Sequence, residues 1–318
     1  MNFTHVTCYG TGTIGTGWGA NFLLKGIKVT LYDLDDVKLA AATEKIKSML
    51  TFCRDSGVID QIRMEECLGR TFYTSDRKEA LKDAQFVQES CPENLELKHG
   101  VIKNIEEYCP DEAIIASSTS GLKVTDIAKF AAHPRRIIGA HPYNPVFLMP
   151  LVEIAKGELT EAQYVENAVQ FYRTMGKEPI VLQKECPGFI ANRLQAALNR
   201  EARDLVFRGV CTVEEVDKAV VFGPGLRWGI IGPHLVFELA GGEGGLRKQA
   251  VQKGDSIKAW YEDMAKWTEI PEGYVDIACQ GLLEEMANRN PGTGKTREEL
   301  IHYRDEGLLM MLKFHKKL

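Results

Sequence analysis

The chain has 318 residues, of which 44% are hydrophobic and 26% charged, with 12 prolines and a formal net charge of −5. That length exceeds what one core usually fills and predicts two domains; the composition excludes a disordered or fibrous chain, and the acidic balance offers no basic face for nucleic acid. No apolar run approaches the roughly 18 residues of a membrane span, and the start Met-Asn-Phe-Thr-His lacks the regions of a secretory leader, so a cytoplasmic protein without membrane attachment is expected.

The first predicted strand, His5 to Tyr9, runs straight into Gly10-Thr11-Gly12-Thr13-Ile14-Gly15, and the segment from Ile14 to Lys25 is helix-compatible. Three glycines where a strand must turn into a helix have separate uses. Gly10 permits the tight turn, Gly12 lets the backbone approach a pyrophosphate, and Gly15 lets the helix pack on the strand. The helix start at Thr13 and Ile14 then offers N–H groups and partial positive charge to phosphates. A second strand, Lys28 to Tyr32, ends on Asp33, about twenty residues on, where a carboxylate accepts both ribose hydroxyls of NAD and repels the extra phosphate of NADP. NAD is therefore the expected cofactor, preferred over NADP by roughly tenfold or more.

Between the second and third strands lies an insertion, residues 37–69, with helical periodicity and a break at Ser56-Gly57; two antiparallel helices projecting from the sheet fit it. Further strands are expected at Thr71 to Thr74, Phe86 to Glu89, Ala113 to Ser117, Arg136 to Ala140 and, after a helix from Glu161 to Met175, Pro179 to Leu182. From Pro187 helical patterns take over, at Phe189 to Arg208, Thr212 to Phe222, Gly232 to Ala240, Gln249 to Thr268, Tyr274 to Asn288 and Thr296 to Lys316. Thr212-Val213-Glu214-Glu215 is a capping-box start. The fold class is thus α/β: a doubly wound Rossmann domain over residues 1–186 with a helical-pair insertion, then an all-helical domain over residues 187–318.

Eight scattered cysteines with no C-x-x-C pair and no clustered histidines give no metal or disulfide pattern. The chemistry is instead expected just beyond strand ends, where open parallel sheets bind ligands. Ser117-Ser118-Thr119-Ser120-Gly121 follows one strand and His141-Pro142-Tyr143-Asn144-Pro145 another, while Glu153 sits inside the apolar run Pro150-Leu151-Val152-Glu153-Ile154. A carboxylate in such a run is costly unless paired, and His141, twelve residues earlier across a proline-bounded turn, is the natural partner. A histidine oriented by a buried acid suits proton removal from an alcohol while hydride leaves for nicotinamide.

These residues resemble the L-3-hydroxyacyl-CoA dehydrogenase family over nearly the whole chain. The likeness rests on the nucleotide turn, Gln88-Glu89-Ser90-Cys91-Pro92-Glu93-Asn94-Leu95, the Ser-Thr-Ser segment, the His-x-x-Asn-Pro-Val loop with Leu-Val-Glu, Pro187-Gly188-Phe189-Ile190-Ala191-Asn192-Arg193, and Gly232-Pro233. The resemblance implies His141 as catalytic histidine, Glu153 as its orienting acid, Ser120 and Asn192 as substrate-side donors, and Glu93 on the nicotinamide side. It also implies a homodimer formed through the helical half.

Ser118-Thr119-Ser120-Gly121 stands where the CoA enzymes usually read Asn-Thr-Ser-Ser, and Pro142 where they carry an aromatic. The stretch Phe222-Gly223-Pro224-Gly225-Leu226-Arg227-Trp228, continuing through Leu239 to Gly245, looks like the L-carnitine 3-dehydrogenase branch, with lambda-crystallin and L-gulonate 3-dehydrogenase more distant. The expected reaction is oxidation of a small L-3-hydroxy acid, L-carnitine first, with 3-hydroxyacyl-CoA (3-hydroxybutyryl-CoA) as the alternative. A trimethylammonium head is best held by aromatic faces and carboxylates, for which Tyr143, Trp228, Glu238 and Glu243 are candidates; Arg193 or Arg227 would hold the substrate carboxylate.

Overall fold

The computed structural model of the chain describes residues 3–318. Eight strands, β1 (His5–Tyr9), β2 (Lys28–Tyr32), β3 (Thr71–Thr74), β4 (Phe86–Glu89), β5 (Ile114–Ser117), β6 (Ile137–Pro142), β7 (Leu151–Lys156) and β8 (Glu178–Val181), form one sheet in the order β3-β2-β1-β4-β5-β6-β7-β8. The first six run parallel, β7 is antiparallel to β6, and β8 is parallel to β7. The order of the first six is that of the Rossmann fold, and it reverses between β1 and β4, which opens a ligand crevice at their carboxyl ends.

The strands are near-continuous apolar runs because both faces of the sheet are covered. Neighbouring residues feed opposite cores: Phe86, Ile114 and Ile138 join one cluster with Trp18, Phe22 and Phe171, while Val87, Ile115 and Ile137 join another with Ile102, Ile105 and Phe189. This is the two-residue period of a strand buried on both sides. β7 was not among the expected strands. Glu153 interrupts its apolar run, and only its pairing with β6 identifies the segment as a strand.

The insertion forms helices Asp36–Asp55 and Gln61–Gly69, capped by Asp35 on the Val37 N–H and by Asp60 on the Arg63 N–H. Rather than standing clear of the sheet, the pair sinks Ile46, Leu50, Met64 and Cys67 into the first core.

The chain divides into two compact units, one of residues up to Arg193 together with Leu308–Leu318, the other Leu194–Gly307. Helices make up the second. The capping box of helix Val213–Phe222 is formed by Thr212 and Glu215, and Gly281 lets Val213 pack where a Cβ would stand 2.5 Å from the Val213 side chain. A short helix, Pro224–Trp228, was not expected separately. Among the described residues no helix is long and apolar enough to cross a membrane.

Candidate active site

The nucleotide turn is built as the glycine spacing requires. Gly10 adopts φ +99°, and a Cβ there would lie 2.9 Å from the Ser90 carbonyl oxygen; a Cβ on Gly15 would lie 1.9 Å from the Gly10 carbonyl oxygen. Gly12 has open space around it, the room a diphosphate needs. The helix Thr13–Leu24 begins there with no side-chain cap and no acid in its first turn, so the N–H groups around Thr13, Ile14 and Gly15 are left for an anion. Asp33 ends the neighbouring strand, its Oδ2 accepting from the Thr11 N–H at 3.0 Å and the Thr11 hydroxyl at 2.9 Å, and its Oδ1 from the Leu34 N–H. Both oxygens retain acceptor capacity for ribose hydroxyls. These residues fit NAD.

His141 and Glu153 meet because β6 and β7 pair in a register that sets them directly opposite. The His141 Nδ1 donates to Glu153 Oε2 at 2.8 Å, which fixes the tautomer and leaves Nε2 for a reacting proton. Glu153 is fully buried, and its other oxygen accepts the Ile190 N–H at 2.9 Å and the Ala191 N–H at 3.0 Å. Burial works against its charge. The bonds from His141, Ala191 and Ile190 outweigh that cost and hold its carboxyl below the usual range.

Pro187-Gly188-Phe189 is the device that delivers those N–H groups. Gly188 (φ +74°) and Phe189 (φ +48°) both lie in the left-handed region, so the chain turns sharply into helix Ala191–Phe207 with its first amides on the acid. A non-glycine residue held there costs about 1–3 kcal/mol and persists only where its surroundings enforce it. Here Phe189 is buried and meets His141 in a T-shaped ring contact, the centroids 5.8 Å apart. Gly121 belongs to the same fit, since a Cβ there would lie 2.8 Å from the Gly188 nitrogen.

Ser120 and Asn192 are brought beside this pair, though not as free donors. The Ser120 hydroxyl and N–H donate to Glu93 Oε1 at 3.1 and 2.8 Å, and the Thr119 hydroxyl donates to the same oxygen at 2.7 Å. Burial opposes the Glu93 charge, but these donors and Lys98 hold its carboxyl low. Asn192 donates to the Ser120 carbonyl at 2.8 Å and accepts from the Tyr143 hydroxyl at 2.9 Å. The Tyr143 and His141 rings meet in a T-shaped contact with centroids 5.3 Å apart, and the Tyr143 hydroxyl is committed to Asn192.

Lys98 escaped the sequence reading. It is buried, with Nζ 2.9 Å from both oxygens of buried Glu89 and 3.7 Å from Glu93, and Ser117 also donates to Glu89. The signal was present in Glu89 at the crevice end of β4 with a lysine one helical turn into Leu95–Glu106, capped by Asn94. Removing one member of such a buried group strands the others.

Of the substrate candidates, Arg193 donates weakly to the Pro187 carbonyl at 3.4 Å. Arg227 and Trp228 end the short helix of the second unit, both exposed. Glu238 has a structural task, accepting the Leu246 N–H at 2.7 Å at the start of helix Gly245–Asp263. Glu243 lies exposed in the turn Gly242–Gly244.

A Rossmann sheet with an NAD-fitting turn, and a histidine–carboxylate pair at the ends of its strands, define a nicotinamide-dependent oxidoreductase. Residues 5–186 match the model of the 3-hydroxyacyl-CoA dehydrogenase NAD-binding domain and residues 188–274 that of the C-terminal domain of the same family. The chain belongs to the 3-hydroxyacyl-CoA dehydrogenase family and is an NAD-dependent enzyme of it. It is 42% identical over 309 residues to an L-carnitine dehydrogenase of Oceanobacillus iheyensis, covering 96% of each chain. To an L-carnitine dehydrogenase of Streptomyces griseus it is 39% identical over 314 residues, covering 97% of this chain and 89% of that one. Among solved structures, a 5-formyl-3-hydroxy-2-methylpyridine 4-carboxylic acid 5-dehydrogenase, described as an NAD+-dependent dismutase, superposes with a TM-score of 0.79 at 26% identity, covering 99% and 98% of the two chains. The (S)-3-hydroxybutyryl-CoA dehydrogenase of Ralstonia eutropha gives 0.66 at 26% identity, covering 82% and 89%.

Proposed function

We propose that this chain oxidises L-carnitine to 3-dehydrocarnitine, with His141 as general base. NAD supplies the hydride acceptor when bound, held by Gly10, Gly12, Thr13, Ile14, Gly15 and Asp33. The chain supplies the rest. The observation that carries the proton step is the 2.8 Å bond between His141 Nδ1 and Glu153, which orients the ring so that Nε2 is the nitrogen that, in the neutral imidazole, accepts the proton of the 3-hydroxyl. Glu153 stabilises the imidazolium that results. Asn192 keeps one amide N–H beyond its bond to the Ser120 carbonyl for the substrate oxygen, and the Ser120 hydroxyl reaches that oxygen only by turning away from Glu93.

The choice of substrate is supported by the curated relatives and by the Ser118 to Gly121 and Phe222 to Trp228 stretches. The trimethylammonium has no N–H to donate, so aromatic faces such as those of Tyr143 and Trp228 suit it, and Arg193 or Arg227 suits the carboxylate. Residues 1–186 serve as the NAD-binding domain and residues 187–318 as the substrate and dimerisation domain of a cytoplasmic homodimer. In the second unit, Val275, Cys279, Leu282 and Leu283 form an exposed stripe at helical spacing on Tyr274–Asn288, a surface of the kind a second copy covers.

Free CoA and acetoacetyl-CoA test the substrate reading. Carnitine-dependent NADH formation should be indifferent to free CoA, and acetoacetyl-CoA should not oxidise NADH. Strong inhibition by CoA together with rapid use of acetoacetyl-CoA would instead assign the chain to acyl-CoA substrates.

A further inference from the structure

Lys177 lies directly before β8 and is buried, and among the described residues the hydrogen-bond partners of its amine are backbone carbonyls rather than carboxylates. Its Nζ donates instead to two carbonyls of the segment between β6 and β7, those of Val146 and of Met149, the latter at 2.9 Å. Its remaining side faces the Trp18 ring, 5.1 Å from the centroid. Trp18 belongs to the helix Thr13–Leu24 whose first turn faces the NAD phosphates, and it is fully buried against Phe22 and Tyr172. One lysine nitrogen therefore joins three things: the edge of the sheet, the cofactor helix, and the connection that leaves His141 and returns to Glu153.

The surrounding contacts point the same way. On the cofactor helix a Cβ at Gly17 would lie 2.9 Å from the Val146 side chain, so the segment presses on that helix at the residue whose carbonyl Lys177 takes. The Glu178 N–H donates to the Pro150 carbonyl at 2.7 Å, and β8 pairs with β7 from Leu151 onward, so residues 146–151 are gripped from one side. Nothing in packing alone requires an amine there. A buried amine without an anion is unfavourable, and burial, with the Lys25 charge behind it, lowers Lys177 to about 7. The neutral amine still carries two N–H groups for the two carbonyls, so the clamp survives at mildly alkaline pH.

We propose that Lys177 is a positioning residue: it ties the 143–150 segment to the cofactor helix, so that His141 and Tyr143 at its start hold their place relative to the bound nicotinamide. This rests on the reading of His141 as base. A lysine that only filled space would be replaceable by methionine, which matches its length and has no donor.

The test compares wild type with Lys177→Met and Lys177→Gln, at a temperature well below both melting points. The measurements are kcat, KM for NAD and for the 3-hydroxy substrate the wild type turns over, and hydrogen–deuterium exchange over residues 143–150. Lys177→Met should lower kcat about tenfold or more, with both KM values within about threefold, and exchange in 146–150 should quicken; Lys177→Gln, keeping a donor, should fall between. Unchanged kcat in folded Lys177→Met would overturn the proposal. So would failure of both variants to fold, which would make Lys177 a stability residue only. The exchange result is independent of any substrate, so a wrong reading of the reaction would leave that half of the test standing.

Discussion

The two units treat their apolar residues in opposite ways. In the first, the large aliphatic and aromatic side chains close into two cores on the faces of one sheet, and the polar groups of the candidate site, His141 with Glu153 and Ser120 with Glu93, bond to one another. In the second, few apolar residues are buried, while Val251 is 80% exposed, Tyr261 68% and Leu283 66%. A patterned helical face left open to water is costly and marks a surface that another body covers. On the proposed function, the contrast separates two tasks, with chemistry placed where the chain is satisfied by itself and association placed where it is not.

The sharpest way to break that division is at His141. His141→Ala should lower kcat by about 10² to 10⁴ while NAD still binds, because it removes the proton acceptor and leaves the nucleotide turn untouched. Retained turnover would remove His141 from the role of base. On the association side, Leu283→Glu should weaken a dimer of this 35.5 kDa chain by about tenfold or more in sedimentation while kcat per folded dimer is kept. A wild type that sediments as a monomer at micromolar concentration would contradict the account of the stripe.

Cofactor choice is a smaller effect. Wild type should favour NAD over NADP by about tenfold, and Asp33→Ser should narrow the ratio, since the carboxylate that accepts ribose hydroxyls is also the one that repels a phosphate. Equal rates with both cofactors in wild type would sink the assignment. The smallest effect is thermodynamic. The Glu153 carboxyl titrates below its ordinary value near 4.5 in the folded chain, so its bonds stabilise the protein above that pH and are lost as pH falls through the folded value. The stability advantage of wild type over Glu153→Gln should therefore shrink on acidification below about pH 4.5; a difference that stays constant would show that the carboxylate charge contributes nothing.

Much of the first unit was legible because local pattern and tertiary role coincide there. The glycines of the nucleotide turn, the apolar strands and the Asp33 position each carry their reason within a few residues. What escaped depends on pairing at a distance. β7 looks like an interrupted apolar run until its register with β6 explains Glu153. Lys98 and Lys177 are ordinary surface residues by composition, and become buried only because Glu89 in one case and two backbone carbonyls in the other satisfy them. Glu238, a candidate for a cationic head group, accepts the Leu246 N–H through one of its carboxylate oxygens, a bond that the linear pattern does not show.

The substrate is decided by NADH formation at mildly alkaline pH with NAD and, in separate reactions, L-carnitine, L-gulonate or L-3-hydroxybutyryl-CoA. Turnover confined to L-carnitine is expected. Turnover confined to the CoA ester would contradict it and return the Phe222 to Trp228 stretch to a purely structural role.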